Sequence, residues 1–384
     1  MVYIMAFSTN LSQKMKGCRC NSNLQSTNNS SRSHYQNDFE QVIHFIRIPL
    51  IIGVVLIHSS VKCADDSMYM YTLLHRVFSE LLVSPCVPTF FFISGFLFFY
   101  NTQTFDYGCY LNKMKRRCRT LFVPYLFWNA LVLFYYLLGH LCFSNLIDPN
   151  NCNVLRYTPL ELIRSFWDFP GGFPVCYQFW YLRDLMVFCL LSPIVYFVVK
   201  RCAVYTFPIL VLLWLCLENT GKFGTSIPFV LGCCFSILKI NVLKTLFKYK
   251  FWFCAIFYAS VVLRIIGFDF AFLNKIMTLS GIGAFIIISH ILIIHIKSLS
   301  NLRDRYSFFI YGFHGFPIVL LTSTILPKIF HGSEIMCILQ YVLAPLIVIV
   351  IAIVLYETMN KLCPKFLSII TGGRIKMSHR STSH

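Results

Sequence analysis

Long uncharged runs constrain this chain more than any other feature. IPLIIGVVLI (48–57) and PLIVIVIAIVLY (345–356) are two of many stretches that lie within runs near the roughly 20 residues a helix needs to cross a bilayer. A soluble domain carries about 25% charged residues; this chain of 384 has 12%, with 57% hydrophobic. The period-2 alternation of a membrane barrel is not seen. The expected fold is therefore an all-α, polytopic integral membrane bundle of about ten transmembrane helices. Breaking the runs at charge, Pro and Gly puts the spans near 43–62, 70–100, 120–140, 179–199, 203–218, 226–238, 251–268, 276–296, 307–327 and 336–357. Residues 70–100 are too many for one straight span, so the run is expected to begin as an interfacial segment near His75, Arg76 and Glu80 and to enter the membrane around Pro85 and Pro88. The spans form one domain, 39–360. It lies between a Ser- and Asn-rich segment, 1–38, expected to be a disordered cytoplasmic tail, and a basic cytoplasmic tail, 361–384.

The formal net charge of +18 invites a nucleic-acid reading, but the distribution of Lys and Arg argues against it. Alternate loops carry KMKRRCR (113–119), Lys200 and Arg201, four lysines between 239 and 250, then Lys297, Arg303 and Arg305, with Lys361, Lys365, Arg374, Lys376 and Arg380 in the tail. The loops between them carry isolated cations: Lys62, Arg156, Arg164, Lys222, Lys328. That is the positive-inside pattern, and it places both termini in the cytoplasm. Most of the seventeen cysteines sit singly in apolar runs as small hydrophobes. Cys18 with Cys20, and Cys233 with Cys234, lack partners at zinc-ligand spacing, so no metal is expected.

The long outer loop, 141–178, contains TPLELIRSFW. Thr158 as N-cap with Pro159 at the first helical position predicts a short amphipathic helix there. The Pro-Gly-Gly turn that follows leads into FWYLRDL. Its aromatic residues suit either an interface belt or a lid over an outward-facing cavity.

Two ionisable residues stand in the first run, Arg47 and His58. Eleven residues at about 100° each make roughly three turns, so the two share one helix face about 16 Å apart. An ionisable group within a span costs roughly 2.5–3.5 kcal/mol on the insertion scale, which favours a site facing an interior cavity. The plainer alternative is that Arg47 snorkels and His58 packs. On the same side as Arg47 lie Lys113, Lys115, Arg116, Arg117 and Arg119. They suit lipid headgroups, or a pyrophosphate clamp, because guanidinium matches phosphate oxygens with paired donors. A coenzyme A arm has about the reach that separates such a clamp from His58. An imidazole with an ordinary pKa near 6.5 can take a hydroxyl proton at neutral pH and return it.

Several motifs, in order and at matching spacing, resemble the membrane acyltransferase 3 family. Arg47 and His58 match its Arg-x10-His motif, and PTFFFISGFLF (88–98) its Phe-Phe-x-x-Ser-Gly-Phe motif. KRRCRTLFVPY (115–125) matches the basic stretch before Pro-Tyr. FWYLRDLMVFCLLSP (179–193) is similar to the Trp-Phe-Leu segment, with Tyr181 in place of Phe. YSFFIYGFHGFPIVL (306–320) is similar to the late Tyr-x-x-His-x-Pro segment, although Gly315 and Phe316 stand between His314 and Pro317.

The resemblance implies an integral membrane acyltransferase, O-acetyltransferase-like, of the kind that modifies polysaccharides, in a bacterial inner membrane. Acyl-CoA, acetyl-CoA first, would be the cytoplasmic donor. A hydroxyl on a glycan or lipid-linked saccharide at the outer side would be the acceptor. It implies His58 as the catalytic histidine, Arg47 as its partner, and Arg116, Arg117 and Arg119 as holders of the acyl-CoA phosphates. Direct base catalysis and a transient acyl-histidine both suit this arrangement. Membrane lipids are the other partner class; nucleic acid is not one, and no oligomeric state is assigned. The alternatives are a transporter or flippase, or a polymerase, acting on lipid-linked glycan; the chain has no evident internal repeat of the sort transporters carry. Ser94 and Gly95 are read as packing residues, Asp184 as paired with Arg183 at the interface, and His314 as lining a cavity. His290 and His295 point about 140° apart and share no site.

Overall fold

The structure, a computed structural model, describes residues 26–61, 68–142, 154–168, 172–216, 224–296, 298–299, 304–330 and 332–373. Residues 1–25 of the tail with Cys18 and Cys20, the turn around Lys62, the loop core 143–153, Pro170 and Gly171 lie outside them. So do Lys222, Lys297, Arg303 and the tail cations Arg374, Lys376 and Arg380. The chain forms two units, residues 1–41 and 42–384, and the site described below belongs wholly to the second.

Every element among the described residues is helical. Five helices are long and apolar enough to cross a bilayer: Asp38–Ile57, Tyr69–Phe99, Tyr107–Cys142, Ala271–His295 and Glu334–Leu362. Three bent pairs qualify if each is one span, which brings the number to eight: Tyr177–Leu190 with Ser192–Arg201 (58°), Ser226–Ile237 with Val242–Lys248 (111°), and Ser307–Phe313 with Gly315–Ile329 (49°). The chain is thus a multi-pass, all-helical membrane protein. Reaching ten spans requires the shorter apolar helices Ala203–Cys216 and Lys250–Ile265 to cross as well.

The helices that frame the site are α1 (Ser26–Ile57), α2 (Cys86–Phe99), α3 (Tyr107–Arg117), α4 (Val123–Cys142), α5 (Trp180–Leu190), α6 (Ser226–Ile237), α7 (Ala271–His295), α8 (Ser307–Phe313) and α9 (Gly315–Leu320). α1 accommodates Pro49 in its interior, as membrane helices do where neighbouring groups satisfy the freed carbonyl. It was expected to continue to about residue 62, yet it stops at Ile57. The amides of His58 and Ser59 bond back only three residues, to Val55 and Leu56, and the Ser59 hydroxyl takes the Leu56 carbonyl at 2.7 Å. These bonds consume the carbonyls that a further turn would need. The Val61 amide then donates to the Tyr71 hydroxyl at 2.8 Å.

The segment 69–99 counts as one span of 31 residues, within which a π-helical stretch, Arg76–Leu81, precedes Pro85 and the start of α2. Leu81 at the end of this stretch packs with Phe257, Val261, Met277 and Ala284. α2 and α6 meet through two glycines. A Cβ on Gly95 would overlap the Phe229 carbonyl, and one on Gly232 would overlap the Phe92 carbonyl. Small residues that let backbones approach are the usual means of helix association in lipid. Gly95 therefore has the packing role expected of it. Since backbone cannot yield as a side chain can, Gly232→Ala is expected to cost about 1–3 kcal/mol, seen as faster thermal inactivation in detergent. Gly108→Ala, where the nearest atom lies 3.7 Å from the added carbon, serves as the unaffected control.

The expected loop helix forms at Pro159–Ser165 with a full capping box: Thr158 accepts from the Glu161 amide, and Glu161 accepts from the Thr158 amide. The segment after it is tied down from beneath. Arg183 donates to the carbonyls of Trp167 and Gly172 at 2.8 and 2.9 Å, Tyr125 to that of Phe166, and Asn129 accepts from Cys176 at 3.0 Å. Arg183 also pairs with Asp184 at 3.0 Å. The pairing was expected, but both residues are buried rather than interfacial, and they anchor this loop segment.

Candidate active site

A cavity of about 290 Å³ lies among these helices and is lined by both residues that the first apolar run singles out. Arg47, Ile51, Val54, Ile57 and His58 line it from α1, spaced as one helix face requires. α2 contributes Val87, Phe90, Ser94 and Leu97, α5 contributes Tyr181, Leu182 and Leu185, and α8 contributes Phe308 and Tyr311. Most of this wall is apolar, with polar groups gathered at the two ends and at one point between.

At the first end are Arg47, Arg117 and Asp304. Asp304 is ion-paired with Arg47 and accepts from or pairs with His44 at 3.1 Å. Burial pushes the Asp304 carboxyl up, but the His44 hydrogen bond and the Arg47 charge outweigh it and hold the group down to about 2, against an ordinary 3.8. A carboxylate whose folded value is depressed contributes stability above its unfolded value and loses it as pH falls through the folded one. The stability advantage of wild type over Asp304→Asn is therefore expected to be present above about pH 3.8 and to disappear as pH falls toward about 2. Thermal melts of the two proteins across that window would measure it.

The basic cluster divides by position. Lys113 donates to the Phe98 carbonyl at 2.6 Å and lies over the Phe98 ring, so it closes the C-terminal end of α2. Arg117 lies over the same ring at 5.6 Å and lines the cavity. Arg116 and Arg119 are exposed and do not line it. Ser94 and Tyr181 share a hydrogen bond of 2.9 Å on the cavity wall. A phenylalanine in place of Tyr181 could not make that contact.

At the second end stands His58, half-buried just beyond the last residue of α1. The Tyr177 ring meets it edge-on at 5.0 Å, and the His314 ring lies 5.5 Å from it at 29°. His314 itself is fully buried and does not line the cavity, contrary to expectation. The α8–α9 bend puts it behind His58, held by neighbours with no room to spare: a Cβ on Gly312 would overlap the Trp128 ring, and one on Gly315 the Gln178 amide. Gln178 donates to the Gly312 carbonyl at 3.2 Å, and Tyr311 donates to that of Gln178 at 2.6 Å.

The structure thus joins Arg47, Arg117 and His58 in one cavity and leaves Arg116 and Arg119 on the exposed side of α3 and the turn after it. Asp304 is the residue that sequence reasoning passed over. The signal was present, since it is the lone acid between Asp269 and Glu334, set between two arginines. His290 packs on Phe247, and His295 bonds the Ile291 carbonyl.

Comparison with known proteins gives two matches. The profile of the acyltransferase 3 family, described as an acyltransferase domain, matches residues 41–357. The succinoglycan biosynthesis protein ExoH of Rhizobium meliloti (strain 1021) is 28% identical over 365 residues, covering 88% of this chain and 94% of that protein. No solved structure matches the chain.

Proposed function

The chain belongs to the acyltransferase 3 family, and from that premise we propose that it moves an acyl group, acetyl first among candidates, from cytoplasmic acyl-CoA to a hydroxyl at the outer side of the membrane. The acceptor class is a glycan or lipid-linked saccharide, a reading supported by similarity to a protein named for succinoglycan biosynthesis. The host membrane is a bacterial inner membrane, crossed about ten times with both termini cytoplasmic, as the loop charges favour.

One observation carries the reading: a single cavity has guanidinium groups at one end and an imidazole at the other. Along α1 those ends are about 16 Å apart, which suits a donor with anionic phosphates, a long neutral arm and a reactive terminus. Arg117 on the wall, with exposed Arg116 and Arg119, holds the phosphates; Arg47, oriented by Asp304, stands at the mouth. The apolar wall between favours an uncharged arm and excludes water from the thioester.

His58 takes the proton of the acceptor hydroxyl as its oxygen bonds to the thioester carbonyl carbon. Collapse then breaks the C–S bond, and the departing thiolate recovers the proton from His58, so CoA leaves as the thiol. Incubating membranes that contain the protein with radiolabelled acetyl-CoA tests this. Base-labile label in the saccharide-containing fraction is expected, and its absence alongside intact acetyl-CoA would contradict the reading.

A further inference from the structure

His314 has no part in the chemistry above, yet its surroundings are those of a working group. Its Nδ1 lies 2.9 Å from the Tyr311 carbonyl oxygen and 3.1 Å from that of Ile310. A carbonyl only accepts, so Nδ1 carries the ring proton and Nε2 is left with a lone pair. That Nε2 is buried and makes no hydrogen bond, an arrangement that costs desolvation and that phenylalanine would avoid while filling the same space.

The neighbour within reach is His58. The ring centroids are 5.5 Å apart, wider than face-to-face contact. They are close to the about 5.2 Å expected of two imidazoles joined edge to edge by an N–H···N bond. The ring planes are inclined by 29°, an inclination that such a bond tolerates. The approach is fixed by tight packing on both sides, since Gly312 and Gly315 admit no side chain.

We propose that His314 is a positioning residue for His58: its Nε2 accepts the His58 ring N–H on the side away from the cavity, leaving the other His58 nitrogen unprotonated and aimed into the cavity. Of the two tautomers of a neutral imidazole, only that one can take a proton from a hydroxyl in the cavity. The pairing also gives the imidazolium formed during transfer a hydrogen-bond acceptor, the part a carboxylate plays in hydrolase triads. This consequence rests on the acyl-transfer reading; the orientation of His58 does not.

The test therefore reads His58 directly. Diethyl pyrocarbonate carbethoxylates an exposed imidazole lone pair, and peptide mass spectrometry reports the rate at His58 alone. In His314→Phe, which keeps a ring but no acceptor, labelling of His58 is expected to slow about fivefold. In His314→Gln, whose amide oxygen reaches the place of Nε2, the rate is expected to stay within about twofold of wild type. All three proteins are expected to show the same thermal shift with acetyl-CoA, because His314 does not touch the cavity. Wild-type labelling in folded His314→Phe would overturn the proposal. Should that variant not fold, His314→Asn keeps the bond to backbone without an acceptor at Nε2, so the same slowing is expected, and a wild-type rate would overturn the proposal equally. A wild-type protein that acetyl-CoA does not stabilise would count against acyl transfer while leaving the labelling comparison readable.

Discussion

Replacing His58 with alanine is expected to lower acyl transfer by about 10²–10⁴-fold, the range a positioned general base contributes. His58 is the one imidazole on the cavity wall among the described residues. The neighbouring His314 cannot substitute for it, being fully buried behind the wall with its one ring proton engaged by backbone carbonyls. The change should spare the rest of the molecule, because His58 follows the end of α1 and α1 is terminated by the Ser59 hydroxyl and the Tyr71 contact rather than by the imidazole. Donor binding should survive too, since the cations lie at the opposite end. A loss in kcat with little change in the acyl-CoA concentration dependence is the expected kinetic signature. Wild-type turnover in a correctly inserted His58→Ala protein would remove His58 from the chemistry.

Replacing Arg117 with alanine is expected to weaken acetyl-CoA binding by about 10–100-fold, the equivalent of losing one or two charge-assisted hydrogen bonds. Among Arg116, Arg117 and Arg119, only Arg117 lines the cavity, and its side chain is already ordered over the Phe98 ring, so less entropy is lost when phosphate binds. The same substitutions at Arg116 and Arg119 should have smaller, more salt-sensitive effects, as expected of exposed charges. Isothermal titration with each variant would rank them. A ranking with Arg119 foremost and Arg117 silent would move the phosphate contacts away from the cavity mouth and onto the exposed surface.

How far the sequence could be read follows from which interactions are local. The all-helical membrane fold was legible because span length and charge asymmetry are properties of contiguous residues. The shared face of Arg47 and His58 was legible because helical periodicity relates residues a few turns apart. The N-cap at Thr158 was legible for the same reason, although the reciprocal part of Glu161 in it was not named. The end of α1 at Ile57 was not, since a side-chain hydroxyl at Ser59 and the hydroxyl of Tyr71, ten residues beyond Val61, decide it. The partner of Arg47 was not, because Asp304 lies 257 residues away in sequence. The basic cluster reads as uniform in a string of letters, and nothing local to it separates Arg117 from Arg116 and Arg119. A π-helical stretch at Cys118–Phe122 lies at its junction with the apolar run, and Arg117, one residue before that stretch, is the one directed to the cavity. His314 could be found as a residue but not as a neighbour of His58, because the helix bend that joins them depends on glycines packed against Trp128 and Gln178.

The most direct measurement of the central claim is thermal stability of the detergent-purified protein with acetyl-CoA, free CoA and an adenine nucleotide lacking the pantetheine arm, alongside Arg117→Ala. A ligand that binds only the folded protein stabilises it by about 2.7 kcal/mol at a hundred times its dissociation constant. The expected result is a concentration-dependent rise in Tm with acetyl-CoA and CoA, smaller with the nucleotide and strongly reduced in the variant. No shift with acetyl-CoA or longer acyl-CoAs over a wide concentration range would contradict a donor site in this cavity.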